Sequence, residues 1–191
     1  MMVRSRHRDR LAILIFLLAP VALIGLLIAN GTNAPTIVSY GGIERPFEAQ
    51  ELLGMADAVV VAKYTGESNV HWNSADGKAW SGTGPDDYPL VYRDDTFEIV
   101  RTIRGGTLPD HLVIRGVGGT ADGVTVVFEG QPKWKVGEAV VLLIAFKDTP
   151  LEAGTEKAWT LVANHQGAFR AVGADWASDM GLKVRERDLA N

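Results

Sequence analysis

The chain predicts an all-β domain, a small barrel or sandwich of about six or seven strands, with one short helix ahead of the first strand and a transmembrane helix at the N-terminus. Three observations carry this. Short β-branched and apolar runs, each closed by turn residues, follow one another from Val59 to Val172. One segment near residue 50 has the apolar spacing of a surface helix. Behind an arginine cluster, Leu11 to Ala29 form 19 consecutive uncharged residues.

Length and composition set the frame. At 191 residues there is room for one domain and an appendage. Residues 1–34 hold Arg4, Arg6, Arg8 and Arg10 against Asp9, leaving 15 Lys and Arg against 22 Asp and Glu in the rest, a net of −7. An acidic body without a basic stripe disfavours nucleic acid, whose phosphates require clustered cations. There is no cysteine, so disulfides, thiolate metal sites and a thiol nucleophile are excluded.

In the N-terminal segment, residues 1–10 are basic and 11–29 form the apolar run. At 1.5 Å per residue that run covers roughly the ~30 Å hydrocarbon core of a bilayer. A secretory signal core is shorter and ends in small residues at the cut. Here the best site, Thr32-Asn33-Ala34, is followed by Pro35, which disfavours cleavage. Pro20 and Gly25 are tolerated in membrane helices. Arginines before the span and none just after it place the N-terminus in the cytoplasm and the body outside. A retained single-span anchor is the leading reading; secretion after signal cleavage is the alternative.

Residues 30–45, NGTNAPTIVSYGGIER, read as a linker. Pro46 suits a first helical turn, and Ala49, Leu52, Leu53 and Ala56 follow at helical spacing, predicting about three turns. Val59 to Val61 open the first strand, closed by a turn near Gly66. Residues 67–89, ESNVHWNSADGKAWSGTGPDDYP, are polar and glycine-rich and read as a long excursion between strands. Strands then follow in VYRDDTFEIVRTIRG, HLVIRGVGG, GVTVVFEG, EAVVLLIAFK, AWTLVAN and GAFRAV. In TFEIVRTI, Phe97, Ile99 and Ile103 alternate with Glu98 and Arg101, one dry face and one wet. Ala139 to Phe146 is apolar throughout, the mark of a buried central strand. Residues 175–191 place Trp176, Met180 and Val184 four apart, a weak helix in a solvated tail.

The order ELLGMADAVVVAKYTG, TFEIVRTIRGGTLPDHLVIRGVGG, PKWKVGEAVVLLIAF and WTLVANHQGAFRAV resembles the netrin-like barrel of tissue inhibitors of metalloproteinases, in a cysteine-free bacterial form. The match spans about residues 50–172 and includes the turn Lys135-Val136-Gly137-Glu138. The resemblance implies an OB-like barrel over 46–174, a five-stranded closed sheet with added edge strands that binds through its loops. Those inhibitors hold a protease zinc with an N-terminal cysteine. This chain has none, so that mechanism does not carry over.

Chemical motifs are sparse. Gly116, Gly118 and Ala121 have dinucleotide-loop spacing, but the β-branched run after them makes a strand, leaving no helix N-terminus for a phosphate. A glycine hairpin is the reading kept, and no cofactor is expected. His71, His111 and His165 lie some 40 or more residues apart, without H-E-x-x-H and without a G-x-S-x-G elbow. Asp86, Asp87, Asp94 and Asp95 flank Tyr88 in a spacing that matches no calcium loop, so they read as solvated turn carboxylates and no metal site is expected. Within the excursion, His71, Trp72, Trp80 and Tyr88 stand among glycines, a mixture suited to contacting a sugar or a partner side chain. The competing reading is that Trp72 and Trp80 pin the loop to the barrel. Trp134 and Trp159 are expected in the core.

The expectation is therefore a membrane-anchored, extracytoplasmic binding module of the bacterial envelope, contacting a protein or a glycan through loops, without catalysis. The alternative is an exported hydrolase with a dispersed Ser/His/Asp site.

Overall fold

A computed structural model describes residues 36–40, 45–81 and 89–190. The apolar segment at residues 11–29 lies outside them, and among the described residues no helix is long and apolar enough to cross a membrane. The body is all-β. Its strands are β1 (Thr36–Tyr40), β2 (Ala58–Trp72), β3 (Val91–Arg104), β4 (His111–Val117), β5 (Gly119–Ala121), β6 (Val124–Phe128), β7 (Ala139–Pro150), β8 (Thr155–Leu161), β9 (Ala168–Val172), β10 (Asp175–Ser178) and β11 (Lys183–Val184). Two short helices, α1 (Ala49–Met55) and α2 (Glu186–Leu189), and a 3₁₀ turn at Asn164–Gly167 complete it.

Five strands close into a ring. β2 pairs antiparallel with β3 and β7, β3 with β4, and β7 with β8, while β4 meets β8 in parallel. The parallel seam is short, only Ile114 with Trp159 and Arg115 with Thr160. β7 serves two neighbours along one edge: Val140–Leu142 pair with β9, and Ile144–Pro150 with β8. β9, β10 and β11 extend the sheet beyond the ring, and β1, β6 and β5 form a second, three-stranded sheet.

Two cores explain why the central strands read as unbroken apolar runs. Val60, Ala62, Phe97, Leu112, Ile114 and Leu142 belong to one cluster, while Val59, Val61, Val141 and Leu143 belong to another. Alternate residues of β2 and β7 thus point to opposite faces, and both faces are covered. The second cluster is closed by Leu52 and Leu53 of α1, Phe169 of β9 and the C-terminal Val184 and Leu189. At about 1.5–3 kcal/mol per buried aliphatic side chain, this outer layer is a main support of the fold.

The structure departs from expectation in four places. α1 spans seven residues rather than three turns. Pro46 stays outside it because Gln166 holds the approach extended: its Oε1 accepts from the Phe47 N–H at 2.9 Å, and its Nε2 donates to the Arg45 carbonyl at 3.1 Å. The first strand does not stop near Gly66. A register shift between Tyr64 and Ser68, with Gly66 at φ 94°, absorbs the irregularity, and pairing with β3 resumes as far as Trp72. Part of the expected linker is a strand: β1 pairs in parallel with β6, Thr36 beside Val124 through Tyr40 beside Phe128. Finally, residues 175–189 form β10, β11 and α2 rather than a solvated tail, because Trp176, Val184 and Leu189 have the second core to cover.

The glycine-rich stretch after β4 forms no phosphate loop. Asp122 at φ 49° and Gly123 at φ 77° make a two-residue turn between β5 and β6, with Ala121 opposite Val124. Positive φ at both central positions matches the right-handed twist of the flanking strands.

Candidate functional site

The sequence VYRDDTF puts three charged residues in a row inside β3, between fully buried Tyr92 and Phe97. A strand turns successive side chains to opposite faces, so each face must supply partners. Arg93 and Asp95 share one face, where Arg93 Nε donates to Asp95 Oδ2 at 2.8 Å. The Asp95 carboxylate also accepts from Trp134 Nε1 at 2.9 Å and Ser68 Oγ at 2.7 Å. Asp94 faces the other way, directly opposite Arg115 of β4 in the register. Arg115 Nε and Nη2 grip its two oxygens at 2.8 Å each, a bidentate pair. Arg115 Nη1 donates to Glu156, and the guanidinium lies 4.8 Å from the centre of the Tyr92 ring.

These contacts fix the charge states. Burial alone would raise the Asp94 carboxyl, but hydrogen bonds from Arg115 and His71 and their charges outweigh it, so the group sits below its ordinary value. Asp94 in turn raises Arg115, against the opposing effect of burial. Burial pushes the Tyr92 hydroxyl up to about 12, and it donates to the Pro150 carbonyl at 2.7 Å.

A pocket of about 190 Å³ opens beside this network, where the β4–β8 seam ends. Arg93 and Asp95 of β3, Gly116 of β4 and Thr160 of β8 contribute to its walls, with Gln131 and Trp134 from the β6–β7 connection. The walls are braced. Arg93 Nη2 donates to the Pro132 carbonyl at 3.3 Å, and Tyr92 holds the end of β7 through Pro150. Thr160 is 7% exposed, and its hydroxyl has no hydrogen-bond partner among the described residues. A Cβ on Gly116 would meet the end of the Gln131 side chain at 2.9 Å and come into ordinary contact with the Arg93 carbonyl at 3.9 Å.

The four residues singled out from the sequence fall in different surroundings. His71 and Trp72 lie on β2, not in a loop. Trp72 is fully buried in a third cluster with Val91, Val124 and Val126, so its ring offers no face to a partner. Trp80 packs partly buried on the same cluster, its Nε1 donating to Asn73 Oδ1 at 2.9 Å. Asn73 Oδ1 also accepts from the Leu90 N–H at 2.8 Å, so one buried amide ties both ends of the excursion. Tyr88, like Asp86 and Asp87, lies outside the described residues. Asp94 and Asp95 diverge to opposite faces and do not share an ion, and the described residues contain no cluster of three metal-ligating side chains.

His71 is half-buried, with Nε2 3.1 Å from Asp94 Oδ2 and Nδ1 2.8 Å from the Trp72 carbonyl. Both partners are acceptors, so a ring N–H has a carbonyl on one side and a carboxylate on the other to donate to. This arrangement holds a ring in place and does not prepare a hydroxyl. The pocket residues Arg93, Arg115, Trp134 and Thr160 were not singled out from the sequence as a site. The available signal was the run of charges inside a strand bounded by buried aromatics. No family model, curated protein or solved structure matches the chain.

Proposed function

We propose that the chain is a membrane-tethered, extracytoplasmic binding module built on an OB-type barrel, and that its ligand enters the pocket at the β4–β8 seam. The observation that carries this is a pocket of about 190 Å³ whose walls are braced by ion pairs and hydrogen bonds. A site whose walls are already fixed by ion pairs loses little order on binding. The barrel reading is supported by strand order: β2-β3-β4-β8-β7 returning to β2, with the third strand parallel to the last, follows the Greek-key order of OB barrels and fits the netrin-like resemblance. The tether reading is supported by the 19-residue apolar run and its arginine flank.

The test uses the full chain, solubilised from membranes, as bait against the solubilised envelope, beside Gly116→Val. Valine suits a strand, and the first atom it displaces is the flexible end of Gln131, so the variant fills the pocket without forcing the backbone. Capture by the wild type that Gly116→Val loses supports the reading; equal capture by both refutes the site. Protease added to intact cells should digest the barrel. A barrel cut only after lysis refutes the topology.

A further inference from the structure

We propose that the outer face of the small β1-β6-β5 sheet docks on the lipid surface of the membrane that anchors the chain. This rests on the tethered reading and says which side of the domain the tether presents to the bilayer. In the parallel β1–β6 pair, Ile37 lies beside Thr125 and Ser39 beside Val127, and Thr120 of β5 lies beside Thr125. Successive strand residues face opposite ways, so these five share one face. Val38, Ala121, Val124 and Val126 turn the other way, onto the buried cluster around Trp72.

The outer face is uncharged and partly apolar. Ile37 is 68% exposed and Val127 42%. The Thr120 and Thr125 hydroxyls bond each other at 2.9 Å, so they lose little on leaving water. Asp122, in the β5–β6 turn, accepts from the Ala79 N–H at 2.9 Å, and Ala79 packs on the Trp72 cluster, which draws that carboxylate toward the inner side. The large sheet, by contrast, exposes Lys63 on β2, Glu98 on β3 and Lys183 on β11.

Chain length says what lies opposite this face. Six residues, Asn30 to Pro35, separate the apolar run from β1. The seven Cα steps from Ala29 to Thr36 reach at most about 25 Å. That is less than the width of a body of about 150 residues, roughly 40 Å, so β1 stays on the membrane side. Charge then selects the face. Anionic headgroups repel a body of net −7 over about a Debye length, and an uncharged face approaches them at least cost. Ile37 and Val127 gain by passing from water into the interfacial layer.

The chain has no cysteine, so a single introduced cysteine reports one place. The test uses the full chain in vesicles of phosphatidylethanolamine and phosphatidylglycerol, carrying a bimane dye at Ser39→Cys or Thr120→Cys on the face. Val172→Cys on β9, a position 50% exposed in the large sheet, is the control. A lipid with a nitroxide on its headgroup quenches a dye that touches the bilayer surface. Ser39→Cys and Thr120→Cys should lose most of their emission and Val172→Cys little. Adding Ile37→Asp, at an exposed position of an edge strand, should restore the emission of Thr120→Cys. Equal quenching at all three positions, quenching at none, or quenching that Ile37→Asp does not change overturns the docking. Emission shielded from both the lipid nitroxide and aqueous iodide would place a second copy on the face and overturns it too. Alkaline washing separates the two readings. A chain that stays in the vesicles without the quenching pattern keeps its tether and loses only the docked face; a chain that washes out loses both.

Discussion

Thr160→Val tests whether a buried hydroxyl without a partner weakens the fold. The side chain is 7% exposed and its oxygen has no described partner. Burying a hydroxyl without a hydrogen bond costs about 1–3 kcal/mol in proteins. Valine keeps the β-branched shape in a strand paired with Arg115 and Ala145, exchanging only the hydroxyl for a methyl. The variant should be more stable by about 1–2 kcal/mol, which for a domain of this size raises Tm by roughly 2–8 °C. Urea unfolding should show a higher midpoint at unchanged slope, since the surface exposed on unfolding stays the same. Thr160→Ser keeps the oxygen and loses the methyl, so it should be less stable. The two variants must move stability in opposite directions. A destabilised Thr160→Val would mean the hydroxyl is satisfied and would refute the reasoning.

Three other outcomes follow from the ion network and the outer core. Arg115→Ala should cost about 3–5 kcal/mol, because it strands a largely buried Asp94; denaturant titration reads this, and a loss under 1 kcal/mol refutes the pairing. The Asp94 carboxyl is depressed in the fold, so its contribution is complete above its unfolded value of about 3.9 and drains away as pH falls through the lower folded value. Acid unfolding of the wild type should therefore steepen below about pH 4, and Asp94→Asn should flatten that limb; an unchanged acid limb argues against it. Leu189→Ala should cost about 2–5 kcal/mol although only Ala190 and Asn191 follow it here, since Leu189 is 1% exposed. A neutral result by thermal unfolding would return the C-terminus to a solvated tail.

Legibility in the sequence followed the physics of each segment. The β-branched runs, the turn glycines and the all-apolar Ala139–Phe146 announced an all-β body, because strand pairing and burial of that run need no distant information. The Asp122-Gly123 hairpin was equally local, a two-residue turn whose backbone demands are met by its own residues. The excursion was read less well. Composition marked residues 67–89 as loop, yet the β3 ladder keeps Ser68–Trp72 in a strand across a bulge, and Asn73 buries its amide to tie the remainder. Trp72 looked like a contact because tryptophan suits both contact and core. Which it serves depends on Val91, Val124 and Val126 arriving from elsewhere.

By itself, the sequence determined the all-β class, the apolar N-terminal run and the acidic cysteine-free body, all of which are written in adjacent residues. Tertiary structure alone decided that five strands close at a two-residue parallel seam, that Asp94 and Asp95 serve different partners, and that Thr160 is buried without one. Those facts depend on side chains tens of residues apart meeting across a closed sheet. Only the register of that closure determines which polar group finds a partner and which is left without one.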